Sequence, residues 1–179
     1  IPHELVDQKL LKSLAHDFYH SRVEGGEGHL EVGKSIYYTV NHLCHMILSL
    51  KPFGCMPSTQ SDGVQSAVSN FYKDMIFLPI ETSGEGDVNA HSRVQMALGE
   101  AKAKAKIEFK ECLEKTGYTL EEIKAYVEAH ADLQKPFTKI SHRKGIAGMG
   151  ANFILDVSDL MKKEGIKSVK SFATEMQAI

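Results

Sequence analysis

No run in this 179-residue chain approaches the roughly 18 consecutive apolar residues of a membrane-spanning helix; the longest candidates, around Leu43–Leu50 and Met75–Ile80, are short. A secretory leader is missing too, since Ile1, Pro2, His3 and Glu4 supply neither a basic start nor an apolar run. Cysteine is scarce. Cys44, Cys55 and Cys112 are too few and too scattered for a disulfide scaffold, which points to a reduced, cytoplasmic setting. Charge of one sign is not in excess: the formal net charge is −2 with acidic and basic residues interspersed, so neither a nucleic acid nor a membrane is expected as partner. No internal repeat is visible. With no initiator Met at its head, the chain is expected to start at a cut within a longer polypeptide.

What is present is ordinary globular material, with 42% hydrophobic and 25% charged residues. The length suits one domain, or one domain with a helical extension. Leu10, Leu11, Leu14 and Phe18 recur at helical spacing within Leu5–Tyr19. After a glycine-rich break at Glu24–Gly28, a second helical pattern starts near Leu30 and runs through Ile36, Val40, Leu43, Ile47 and Leu48. Leu48–Phe53 can form a short buried strand, followed by a helix over about Gly63–Tyr72. Met75–Ile80 is the clearest strand, with Pro79 marking a strand end or sheet edge. A polar loop at Glu81–Asp87 leads into a long helix beginning near Asn89. Further helices are expected over Leu120–His130, capped by Thr119, and over Gly150–Lys163, reached through the glycines at 145, 148 and 150.

Apolar strands alternating with helices imply parallel pairing. The expectation is an α/β fold, predominantly helical: a partial Rossmann-like unit with a small parallel sheet of two or three strands, plus a helical C-terminal extension. Residues 1–116 would form the helical lead-in and the α/β unit, and residues 117–179 the extension.

Three groups of residues carry possible chemistry. Gly28-His29-Leu30-Glu31-Val32-Gly33-Lys34-Ser35 fits G-x-x-x-x-G-K-S, but Tyr19–Glu27 is polar and supplies no strand to launch a phosphate loop, so the run reads better as the lead-in to a helix. His42, Cys44 and His45 fall on one predicted helix, the two histidines at i, i+3, with no third and fourth metal ligand at a recognisable spacing; packing is the simpler reading. Cys55 follows a predicted strand and precedes a predicted helix, where open α/β sheets place their sites and where helix N–H groups favour a thiolate. A thiolate there can take a soft metal or an iron–sulfur cluster, or be a buried structural thiol. The second strand-end loop would lie beside it, and Arg93, in the first turns of the next helix, faces the same pocket or pairs with a carboxylate.

The runs Lys51-Pro52-Phe53-Gly54-Cys55-Met56-Pro57-Ser58, Phe77-Leu78-Pro79-Ile80-Glu81 and Asn89-Ala90-His91-Ser92-Arg93-Val94, with Glu27–Lys34 before them, resemble the end of long activase-related proteins of the 2-hydroxyglutaryl-CoA dehydratase activator family. The resemblance covers roughly residues 24–106. It implies Cys55 as one ligand of a [4Fe–4S] cluster, with Ser58, Thr59, Glu81 and Arg93 as cofactor-pocket residues. It further implies a parent protein with actin-like ATPase modules and a dehydratase or reductase partner, engaged in ATP-driven low-potential electron transfer linked to acyl-CoA-type reduction or dehydration. No second cysteine sits at a matching position and the ATPase motifs are absent, so the isolated piece is expected to hold no cluster and to be inactive alone. The rival expectations are a structural or docking domain without metal and, behind it, a P-loop nucleotide binder.

Overall fold

Asp7 starts the first helix, α1 (Gln8–Ala15): its carboxylate accepts from the Lys9 N–H at 3.0 Å and ties down one of the free amides of the first turn. The computed structural model describes residues 5–23, 25–82 and 87–168. Within them follow α2 (Gly28–Val40), β1 (Ile47–Pro52), α3 (Met56–Phe71), β2 (Phe77–Thr82), α4 (Asp87–Thr116), α5 (Leu120–Ala129), a 3-10 turn over Ala131–Gln134 and α6 (Met149–Lys163). β1 and β2 pair in parallel, from Ile47 opposite Phe77 to Pro52 opposite Thr82, with α3 as the crossover. The fold is thus α/β and predominantly helical, with a two-stranded parallel sheet, as the alternating pattern predicts.

The chain divides into two compact units, Ile1–Lys104 and Ala105–Ile179. The division falls inside α4, whereas the sequence reading puts a boundary after Thr116. In the first unit Leu11 and Ala15 of α1, Val32 and Ile36 of α2, and Val68 of α3 are buried. Each such Leu, Val or Ile contributes roughly 1.5–3 kcal/mol by leaving water. In the second unit Cys112, Ile123, Tyr126, Ile154 and Val157 share one core. Thr119 caps α5 reciprocally: Glu122 N–H donates to the Thr119 hydroxyl, and Thr119 N–H donates to the Glu122 carboxylate.

Three local readings need correction. The helical pattern expected to continue past Val40 stops there, because His42 takes a left-handed φ of 50°, which breaks the ladder; Ile47 and Leu48 then belong to β1. α3 starts at Met56 rather than near Gly63, with Pro57 in its first turn, where a missing N–H costs nothing. β2 lies at Phe77–Thr82, so Met75 and Ile76 are buried before the strand instead of within it.

Candidate functional site at the carboxyl edge of the sheet

Parallel pairing brings the carboxyl ends of β1 and β2 side by side, and the Thr82 hydroxyl donates across to the Lys51 carbonyl at 3.1 Å. From this edge Gly54, with φ of 72°, turns the chain into α3, and Cys55 is the N-cap residue. Cys55 is half-buried, and its side chain makes no capping hydrogen bond. Its carbonyl accepts from both the Thr59 N–H and the Thr59 hydroxyl at 2.9 Å, so Thr59 is turned back on the helix. Ser58 lies in the same first turn, its carbonyl accepting from the Ser61 hydroxyl at 2.9 Å. Glu81 is exposed and in register with Lys51. Arg93, also exposed, donates to the Pro79 carbonyl at 2.8 Å. Cys55, Ser58 and Thr59 therefore share one helix turn, Glu81 belongs to the neighbouring strand end, and Arg93 serves the β2 backbone. The rest of the loop read at Glu81–Asp87, Ser83–Gly86, lies outside the described residues.

A buried polar cluster under this edge is invisible in the sequence pattern. Successive strand residues alternate between faces, and Ile47, Ser49 and Lys51 point inward, toward α2 and α3. The Lys51 side chain is only 2% exposed; its ammonium bonds the Asp62 carboxylate and lies 3.7 Å from Glu31. The Glu31 carboxylate also accepts from the hydroxyls of Ser49 and Ser61. A buried cation needs partners of this kind, since an unpaired one would cost several kcal/mol. The opposite face of β1 has the reverse character: Leu48 is 43% and Leu50 65% exposed. The usual polarity of a half-covered strand is inverted, with charge inside and leucine outside.

The other sequence candidates fall elsewhere. Gly28–Ser35 lies wholly within α2, where the Leu30 and Glu31 N–H groups already donate to the Glu27 carbonyl, so these residues do not form an open phosphate cradle. Lys34 is exposed, while Ser35 is buried and its hydroxyl donates to the Glu31 carbonyl at 2.8 Å. His42, Cys44 and His45 sit in the turn after α2 rather than on a helix face. Burial raises the Cys44 thiol pKa, with a hydrogen bond from the Met46 backbone working against it. Burial likewise raises that of Cys112, in the second core.

Among the described residues Cys55 is the one thiol at this edge, short of the several ligands that an iron–sulfur cluster takes. Cys44 precedes β1 and Cys55 follows it, so a strand of about 16–20 Å separates them. Among the described residues no three His, Cys, Asp or Glu side chains converge as a metal site. Nor is any described helix long and apolar enough to cross a membrane. Comparison with family models, curated proteins and solved structures found no match.

Proposed function

We propose that the first unit is part of a redox module. It presents the Cys55 thiolate, with Ser58, Thr59 and Glu81 as pocket wall, to an iron–sulfur centre whose remaining ligands come from another polypeptide segment. Arg93 supports the pocket through the β2 backbone. The setting is cytoplasmic, and the task is ATP-driven low-potential electron transfer linked to acyl-CoA-type reduction or dehydration, with actin-like ATPase modules and a dehydratase or reductase as partners. One observation carries the reading: Cys55 is the N-cap residue of α3 at the carboxyl end of a two-stranded parallel sheet, and the outward face of β1, Leu48 and Leu50, is apolar and exposed. Parallel strands are ordinarily covered on both faces, so this face is suited to cover by further polypeptide, which would bring the missing ligands to the adjoining carboxyl edge. A cluster there would accept and release single electrons; the chain's own part is to hold one thiolate at a fixed helix terminus.

A second reading, a docking domain without metal, draws on the same exposed residues, Leu48 and Leu50, with Phe53 at 74% exposure. Anaerobic iron and sulfide analysis of the parent polypeptide, with and without Cys55→Ser, separates the two. Loss of iron and sulfide on substitution, in protein that keeps its fold, supports the ligand role. Content unchanged by the substitution removes it and leaves the docking reading.

A further inference from the structure

The second unit contains a cleft of about 460 Å³ between α6 and the segment from Leu133 to Arg143, within the roughly 300–1,000 Å³ of small-molecule sites. Its apolar lining comes from Leu133, Ile140, Phe153, Val157 and Leu160. One wall is held rigid by polar groups. Arg143 Nη2 donates to Asp156 at 3.1 Å and to Asp159 at 2.8 Å, and the Ser141 N–H donates to the other Asp156 oxygen at 2.7 Å. Behind them Asn152, fully buried, accepts from the Arg143 N–H at 2.8 Å and donates to the Ile146 and Gly148 carbonyls.

The carboxylates of this wall are therefore engaged, while cationic donors are left over. Lys139 and Lys163 line the same cleft; neither makes a salt bridge or side-chain hydrogen bond among the described residues, although the Lys163 charge is near enough to help lower the Asp159 carboxyl. Arg143 Nε is buried with no acceptor. Three cationic side chains face two carboxylates, beside an apolar floor. A cationic ligand would have to compete with Arg143 for Asp156 and Asp159. A neutral apolar one has a better host next door, a groove of about 310 Å³ lined by Phe109, Leu120 and Ile123, for which Phe153 forms the shared wall.

We infer that the cleft binds a small amphipathic carboxylate, with its apolar body against Phe153, Val157 and Leu160 and its head between the ammonium groups of Lys139 and Lys163. An anion held by two exposed ammonium groups gains modest, salt-sensitive attraction, and the apolar body supplies the rest.

Calorimetric titration of decanoate into the whole chain, below the concentration at which decanoate aggregates, tests this. Decanoate is expected to bind saturably and decylamine, the cation of equal length, not to. The double variant K139E/K163E should weaken decanoate binding by about tenfold or more, with an unchanged circular dichroism spectrum because both lysines are exposed. Leu160→Trp, which fills the cleft and leaves the charges in place, should abolish binding. The inference is overturned if decanoate shows no saturable binding, if decylamine binds equally well, or if K139E/K163E binds decanoate as tightly as the parent; in the last case the neighbouring apolar groove is the host.

Discussion

Gly33 lies directly against the backbone of Leu11: a Cβ built on Gly33 would stand 2.3 Å from the Leu11 carbonyl oxygen. Helices α1 and α2 meet there main chain to main chain, which only glycine permits. The glycine that makes the run look like a phosphate loop is a packing glycine.

Gly33→Ala is accordingly expected to destabilise the first unit by about 1–3 kcal/mol or more, because Leu11 backbone has to move. Lys34→Ala, at an exposed position, should stay within about 0.5 kcal/mol. Urea denaturation of the two variants checks the contrast. A tolerated Gly33→Ala, together with loss of ATP binding in Lys34→Ala, would restore the nucleotide reading.

Lys51 offers a second contrast, between the two faces of one strand. Lys51→Met leaves the Glu31 and Asp62 carboxylates without their buried cation and should cost about 3 kcal/mol. Leu50→Lys, one residue away and on the exposed face, should change stability of the chain by less than about 0.5 kcal/mol. Equal effects in denaturant titrations would mean that the inward and outward faces have been misassigned.

The Arg143–Asp159 pair sets a pH dependence in the second unit. The hydrogen bond from Arg143 holds the Asp159 carboxyl below its ordinary range. A depressed carboxyl contributes stability that is present above its unfolded pKa of about 4 and is lost as pH falls through the lower folded value. Melting temperature should therefore decline with acidification below about pH 4, and Asp159→Asn should flatten that part of the curve. Parallel profiles for parent and variant would dissociate the pair from acid stability.

The three thiols should label in two classes. Cys44 and Cys55 are half-buried, whereas Cys112 is buried among Ile123 and Ile154; burial raises the pKa of Cys44 and Cys112 alike, so access is what divides the classes. An aromatic disulfide reagent at neutral pH should consume the first two in the folded protein and Cys112 only after denaturation. Rapid reaction of Cys112 in the native state would show that the second core opens readily.

The elements that could be read from sequence were those with a local signature. Thr119 with Glu122 announces α5, and the apolar steps within Gly150–Lys163 announce α6 to within a residue. The order strand, helix, strand also follows from pattern, and with it the place of Cys55 at a strand end. The failures have local causes of a different kind. Val40, Leu43 and Ile47 keep helical spacing across the end of α2, and nothing in that spacing reveals the left-handed His42. Pro57 was the available signal for an earlier start of α3, since proline favours the first turn. Ser58, Thr59, Ser61 and Asp62, all capping residue types, place the expected start one or two turns later. The Glu31–Lys51–Asp62 cluster joins α2, β1 and α3, and a contact across three elements leaves no periodic trace. The same holds for the cleft beside α6, where sequence shows only a basic loop at His142-Arg143-Lys144.

The parallel pairing of β1 with β2 also sets how much chain must be closed before the strands can meet. Ile47 meets Phe77, so the first ladder contact closes about 30 residues of chain and cannot form as a hairpin does. The connection through α3 has to be closed before the strands gain anything from each other. Until then Leu48 and Leu50 belong to an unpaired extended segment, and the inward Lys51, which has no partner before α2 and α3 converge, opposes the association of that segment with another copy of itself.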